Sequence, residues 1–235
     1  MTRILITILL SAVVVRAQDA GMLRSSPPDA AHNVASLYKR ASASEFVAIG
    51  TVTKTQTVKS RKTIAQLDQI RQTGNAPPDF NPTGKIGILY TISVEQVLCR
   101  KADFAASPPQ TIPEPSEVLM FIPLNDGMLY SERAKLNETD LLFLTVPAEQ
   151  KQWKEDYDLD RSQTYYRATW NSAGVVSLSE PGPDPPILDK ITQLCQAVQS
   201  ADPAQKIAAL DKLAASGDPV LAKEAEEAKK GMQAK

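Results

Sequence analysis

Histidine is nearly absent from this sequence, in which His32 is the single one among 235 residues. A serine or cysteine triad needs a general base, and a zinc site usually combines two or more imidazoles or thiolates. The sequence also lacks the motifs G-x-S-x-G, H-E-x-x-H and C-x-x-C and the phosphate-binding P-loop. We therefore predict no catalytic residue of these classes, no metal site and no cofactor, and we interpret His32 as a solvated helix residue.

An excess of charge of one sign is also lacking. The chain has 26 Lys and Arg against 27 Asp and Glu, a formal net charge of −1. Proteins that bind nucleic acid need positive charge to neutralise phosphates, so this balance disfavours a nucleic-acid partner. The many carboxylates leave open a hydrolase with two acidic residues, because the distance between such residues depends on the fold and cannot be read from the sequence. The acidic segment Glu155–Asp160 lacks the glycine and terminal glutamate of an EF-hand loop, so we interpret it as a solvated loop.

Long hydrophobic runs are lacking except near the N-terminus, where Ile4–Val15 is an uncharged run of 12 residues. As a helix this run would rise only about 18 Å, too little for a hydrocarbon core of roughly 30 Å. Arg3 precedes it and a small residue, Ala17, follows it, which predicts a signal peptide over residues 1–17 cut after Ala17. We expect a secreted or periplasmic protein with no membrane span after cleavage; the alternative is an uncleaved anchor.

Cysteine is scarce, with Cys99 and Cys195 as the two in the chain. Two cysteines do not make a disulfide scaffold, but in an oxidising compartment they can form one bridge. They can equally be two buried thiols that act as small apolar residues. Both interpretations stay open from the sequence.

Strand-like segments fill the middle of the chain, residues 44–180, which we predict to form one domain. In Ile86–Leu98 apolar and polar residues alternate with a period of two, as in a strand with one buried face. Phe46–Val52 is mostly apolar, which predicts a first strand that is buried on both faces over these residues. Four further strands are predicted, the last two as a hairpin: Glu117–Pro123, Asp140–Val146, Gln163–Trp170 and Val175–Leu178. Six short strands with irregular loops favour an antiparallel sandwich or small barrel.

Helical spacing appears in the leader and in one long loop. The leader, residues 18–43, has a short helix that Asp29 can cap. The loop 60–85 between the first two strands has apolar residues at helical spacing until Gly74 ends the pattern. Loops of this length are often functional.

The C-terminal region changes from strands to helices. The proline-rich stretch Glu180–Pro186 predicts a boundary, and residues 187–235 predict a helical hairpin or a three-helix tail. Asp202-Pro203 and Asp218-Pro219 each predict a helix start, because aspartate accepts the free amides there and proline has no amide to satisfy. The tail has a weak likeness to a HEAT-type repeat pair.

Three of the predicted strands carry short sequence units in a characteristic order. The units are an apolar-Gly-x-Val segment, an alternating Tyr-x-apolar-x-Val segment and an apolar strand: Ile49-Gly50-Thr51-Val52, then Tyr90, Ile92 and Val94, then Leu141-Leu142-Phe143-Leu144. Over residues 41–178 this order resembles the netrin-like module, the OB-type β-barrel also found in tissue inhibitors of metalloproteases. The resemblance implies an α+β, mainly β protein with a small antiparallel OB-like barrel.

The resemblance does not extend to the inhibitory residues. Inhibitors of that family bind the protease zinc through a mature N-terminal cysteine, whereas this chain has no cysteine before Cys99. The resemblance therefore implies a barrel and no particular activity, because a fold does not determine function.

Aromatic residues concentrate in the segment 153–170. Four of them predict a platform for a sugar or a peptide, as on other OB barrels: Trp153, Tyr157, Tyr166 and Trp170. The alternative is that they belong to the core, since alternation places Tyr165 and Tyr166 on opposite faces.

The leading functional prediction is a secreted or periplasmic, non-enzymatic module that binds a protein or a cell-surface component. The predicted contact regions are the loop 60–85 and the aromatic segment 153–170. The alternatives are an extracytoplasmic carboxylate-based hydrolase and a carbohydrate-binding protein.

Overall fold

The computed structural model describes residues 36–81, 84–105, 114–124, 135–169, 174–178 and 187–233. Within them it has an α+β fold with one six-stranded mixed sheet and six helices. The strands are β1 Phe46–Lys59, β2 Ile86–Arg100, β3 Glu117–Leu124, β4 Thr139–Thr145, β5 Tyr165–Ala168 and β6 Val175–Ser177. The helices are α1 Leu37–Ala43, α2 Arg61–Thr73, α3 Gln150–Asp156, α4 Ile187–Val198, α5 Pro203–Ala214 and α6 Pro219–Gln233. The predicted signal peptide, Asp29, His32, Trp170 and the boundary at 180–186 lie outside the described residues.

All six predicted strands are confirmed, with shifted ends. β1 is longer than its apolar half and continues to Lys59, because its polar second half still pairs with β2. β4 pairs with β1 on one edge and with β5 and β6 on the other, so its apolar sequence belongs to a central strand.

The prediction of a wholly antiparallel sheet is wrong in one pairing. β1 pairs with β2, β2 with β3, β3 with β5, β5 with β4, and β4 again with β1. Five strands that pair in such a ring cannot alternate in direction all the way round, because their number is odd. One pair must be parallel, and it is β3 with β5.

The predicted hairpin between the last two strands is also wrong. β6 pairs with β4 at Asp140–Leu142, and β5 pairs with β4 at Leu144 and Thr145. Both strands therefore run antiparallel to β4 along the same edge, one after the other. Turn residues between two short strands usually indicate that the chain reverses and that the two strands pair with each other. Here both strands pair with the longer central strand β4 instead.

The helix starts in the tail are confirmed by capping. Asp202 accepts a hydrogen bond from the Ala204 amide at 2.9 Å, and Asp218 accepts from the Val220 amide at 2.8 Å, so each carboxylate satisfies a free amide. The hydrogen bonds to backbone amides lower the pKa of Asp218. At the other end of the described chain, α1 begins after Ser36, whose hydroxyl accepts from the Lys39 amide.

Two predictions inside the sheet region, one of a helix and one of a loop, have different outcomes. In the loop 60–85, α2 is confirmed, with Ser60 as its N-cap and Gly74 in the left-handed conformation at its C-cap. The segment Glu155–Asp160 was interpreted as a solvated loop, but its first two residues belong to the helix α3. The single large apolar residue of α3, Trp153, faces the sheet. One apolar residue cannot show the helical repeat from which a helix is predicted.

Three apolar clusters occupy the faces of the sheet. The first lies between the sheet and the helices α1, α4, α5 and α6, so the C-terminal helices share a core with the strands. The second lies on the opposite face and contains the alternating residues of β2, as predicted. The third lies beneath α3. Their central members are Val47, Leu98, Phe143 and Leu194 in the first, Ala48, Ile92, Met120 and Leu142 in the second, and Phe121, Trp153 and Tyr165 in the third.

The C-terminal helices are joined to the end of β2 by polar and covalent links. Cys99 and Cys195 form a disulfide, with their Cα atoms 5.3 Å apart. Gln199 donates to the Leu98 carbonyl at 2.6 Å. Lys206, on α5, is fully buried and its Nζ donates to the carbonyl oxygens of Asp103 and Ala105, at 2.7 and 3.0 Å. Burial lowers the pKa of Lys206, partly offset by the nearby charge of Asp103.

We expect Lys206→Met to lower the free energy of unfolding by roughly 2–4 kcal/mol, because two carbonyl groups lose their buried donor. Urea unfolding followed by circular dichroism measures the change. The matched control is Lys212→Met, an exposed lysine on the same helix, which should change stability by less than about 0.5 kcal/mol. Equal effects of the two variants would show that the hydrogen bonds of the buried ammonium group do not stabilise the fold.

Candidate functional site

A groove of about 540 Å³ opens between the start of β3 and the segment that leads into β5. One wall is formed by Pro115 and Glu117–Leu119, and the other by Asp158–Asp160 and Ser162–Tyr166. Gln56 and Val58 of β1 and Leu89 of β2 complete the lining. Its volume falls within the range of roughly 300–1,000 Å³ that small-ligand pockets usually have.

The groove exists because the parallel pairing of β3 and β5 is short. It comprises Leu119 with Tyr165 and Met120 with Tyr166. Towards their N-terminal ends the two chains separate, and among the described residues Glu117 and Val118 have no strand partner on the side of β5. The edge of β3 is thus open to the groove.

Hydrogen bonds hold the second wall in place. The Asp158 amide donates to the Lys59 carbonyl at 3.1 Å, which ties the start of this wall to the end of β1. Asp160 accepts from both the amide and the hydroxyl of Ser162, each at 2.8 Å, and this closes a tight turn. The Tyr165 amide donates to Gln150 of α3 at 2.7 Å. The groove is therefore a preformed feature of the fold.

The lining combines apolar residues with acidic ones. Three carboxylates belong to it, Glu117, Asp158 and Asp160, all exposed, and no lysine, arginine or histidine is among its described lining residues. Arg61 lies just outside and contacts Asp158 at 3.4 Å. The hydrogen bonds from the amide and hydroxyl of Ser162 lower the pKa of Asp160. The groove thus offers three carboxylates beside apolar side chains, a combination suited to a ligand with a cationic group and an apolar group.

The structure places the three described residues of the predicted aromatic platform on two opposite faces of the sheet. Trp153 and Tyr157 are buried against the Phe121 ring, with centroids 5.3 and 5.0 Å apart in edge-to-face geometry. Tyr166 lies on the other face of the sheet, edge to face with Phe46. Trp153 and Tyr157 therefore stabilise the core and present no aromatic face, and Tyr165 and Tyr166 face opposite clusters as alternation predicted. Trp170 lies outside the described residues.

In the described part of the predicted contact loop 60–85, the chain after α2 folds back and contacts that helix. Lys62 forms an ion pair with Asp79 at 2.8 Å, and Gln66 donates to the same carboxylate at 3.1 Å. The hydrogen bond and the charge of Lys62 lower the pKa of Asp79. A second cavity of about 310 Å³ lies between this helix and the returning chain.

The groove could not be predicted from the sequence as one site, because its walls come from segments about 40 residues apart in the chain. Sequence reasoning missed Glu117, and it included Ser162 in the contact segment 153–170 without giving it a role. A signal for Ser162 existed in the Asp160-x-Ser162 spacing, which is typical of a turn closed by an aspartate side chain. Glu117 carries no comparable signal.

The described residues contain no group of three or more histidines, cysteines or acidic residues arranged to hold a metal ion. A different acidic residue, Asp140, has its pKa raised to about 7 by burial and by the charge of Glu138. Asp140 is fully buried and lines neither of the two cavities described above, so it does not face a ligand there.

No known protein family, curated protein or solved structure matches this chain in the comparisons made with each.

Proposed function

We propose that this protein is a secreted or periplasmic, non-enzymatic binding module that holds an extended segment of a protein partner in the groove between β3 and β5. The observation that carries the proposal is the open edge of β3 beside apolar side chains and three carboxylates. An exposed sheet edge can accept an extended peptide as an additional strand, through main-chain hydrogen bonds. The acidic lining favours lysine or arginine in that segment.

An OB-type barrel of the netrin-like kind is part of the same proposal. Its support is the ring of five pairings, in which β1 pairs with both β2 and β4. OB folds bind ligands on strands 2 and 3 and through the loops after strands 1 and 4. The groove is lined by β2, β3 and the segment after β4, which corresponds to that surface.

An export signal remains the basis for the proposed location. No described helix is both long and apolar enough to cross a bilayer.

The alternatives have less support. A carboxylate-based hydrolase needs an acid that stays protonated near neutral pH and reaches the substrate. In the groove the pKa of Asp160 is lowered, and the buried Asp140 lies elsewhere. A carbohydrate-binding protein needs an exposed aromatic face, whereas Tyr165 is buried.

The test is a titration of the protein with fluorescent peptides of about ten residues, in a lysine- and arginine-rich series and a matched acidic series. We expect binding of the basic series only, with Glu117→Lys weakening it at least about tenfold because the variant reverses a charge in the groove. The control is Glu155→Lys, an exposed glutamate of α3 outside the groove, which should change affinity less than about twofold. Equal affinity for both series, or equal losses in the two variants, would reject the groove as the binding site.

A further inference from the structure

A buried carboxyl group lies at the start of the central strand. Asp140 is the second residue of β4 and its side chain is inaccessible to solvent. No described residue forms a hydrogen bond with either of its carboxylate oxygens. Alternation along β4 places it on the same face as Leu142 and Leu144, which belong to the second apolar cluster. The group therefore occupies an environment that disfavours charge.

The strands on either side supply no charge to pair with it. In register with Asp140 lie Gly50 on β1 and Ser177 on β6. At Gly50 a Cβ atom would come within 2.9 Å of the Ile92 side chain, so β1 has no room there for a longer polar residue. Glu95 of β2 is held elsewhere, since its carboxylate accepts from the Thr51 hydroxyl at 2.6 Å.

The charged groups nearest in the described chain lie in the turn before β4. Glu138 has one buried oxygen without a partner and repels the charged form of Asp140. Among the described residues, Lys135 is the cation that acts on Asp140, and it forms an ion pair with Glu138 at 3.5 Å. The balance opposes ionisation, because an unpaired charge in an apolar environment loses its hydration without compensation.

The two elements next to this group, one beside it in the sheet and one before it in the chain, are short. β6 has three residues, and its pairing with β4 is confined to Asp140–Leu142. On the other side, the turn is held by the Asn137 amide, which donates to the Val52 carbonyl at 2.8 Å. Short elements with few pairings are the first to open in a folded protein, at a free energy below that of global unfolding.

We propose that Asp140 is a pH-sensitive latch for this end of the sheet: β6 and the turn 135–138 close over the neutral carboxyl and open when it ionises. A carboxyl whose pKa is raised by folding contributes stability that is fully present below its unfolded pKa, near 4, and is lost as the pH rises through the folded value. For Asp140 that window extends from about 4 to about 7. The closed form therefore belongs to acid conditions and the open form to mildly alkaline ones.

Hydrogen–deuterium exchange of the wild-type protein at about pH 5.5 and about pH 8 tests the latch, with rates corrected for the intrinsic pH dependence of exchange. We expect protection of the amides in Val175–Ser177 and Thr139–Leu142 to fall more than about tenfold at the higher pH. In Asp140→Asn, which is uncharged at both pH values, the protection should be independent of pH. The control is Glu155→Gln, which changes an exposed acid of α3 outside the groove and should keep the wild-type dependence.

A wild-type protein with equal corrected protection at both pH values would overturn the proposal, as would a pH dependence that persists in Asp140→Asn. If that variant does not fold, carbon-13 NMR of the wild-type Asp140 carboxyl decides the matter. Titration near pH 7 together with pH-dependent protection supports the latch, and titration below about pH 5 excludes it.

Discussion

Ile92→Asp is expected to leave the protein unfolded at room temperature. Ile92 is wholly inaccessible to solvent within the second apolar cluster, where Tyr90 and Val118 are also buried. A carboxylate in its place would either remain charged without a partner or take up a proton at a cost in free energy. The expected loss is on the order of 5 kcal/mol, comparable with the whole stability of many domains, roughly 5–15 kcal/mol. Far-UV circular dichroism and urea unfolding measure it.

The adjacent residue provides a control for this variant. Ser93 is exposed on the opposite face of β2, so Ser93→Asp adds the same charge to the same strand outside the cluster. We expect a change in unfolding free energy of less than about 0.5 kcal/mol. If Ile92→Asp kept the wild-type midpoint and Ser93→Asp did not, the two faces of β2 would be assigned the wrong way round.

Loss of the Cys99–Cys195 disulfide is the second large effect that we expect. The bridge links the end of β2 to α4 across a sequence separation of 96 residues. In the chain-entropy account, a bridge that closes a loop of about 100 residues stabilises the folded state by about 4–5 kcal/mol, since it restricts the unfolded chain. We expect the double variant Cys99→Ala/Cys195→Ala to lose about 3–5 kcal/mol of unfolding free energy.

Urea unfolding with and without reductant measures this effect. The wild-type midpoint should fall when reductant is added, whereas the double variant should be insensitive to it. Alkylation under denaturing conditions followed by intact mass gives an independent result. Two alkylated thiols in protein that has not been exposed to reductant would contradict the bridge.

The spacing of apolar residues predicted those elements that bury a defined face in an apolar cluster. Ile88, Tyr90 and Ile92 alternate along β2 because one side of that strand contacts the second cluster. The uninterrupted apolar sequence of β4 indicated a central strand, because both of its faces are covered by apolar clusters. The Asp-Pro pairs predicted the starts of α5 and α6, since capping is a local interaction.

The errors concern interactions between residues that are distant in sequence. The helix α3 has a single large buried residue, Trp153, so it shows no apolar repeat. The strand β6 is too short to choose a partner from its own sequence, and its position follows from the free edge of β4. The groove depends on where β3 and β5 separate, which no local pattern reports. Asp140 lies in an apolar strand whose sequence does not reveal that its carboxyl lacks a partner.

The two halves of β1 differ in a way that bears on self-association. Phe46–Thr51 has a strand on each edge, whereas in Thr53–Val58 the described residues provide β2 on one edge only. An unpaired edge can template the addition of another copy of the chain and so begin aggregation. Five of the six residues in that second half are polar and exposed, and Lys54 adds a charge. The loss of apolar character midway along β1 thus protects the protein from edge-to-edge aggregation, at the point where its second strand partner ends.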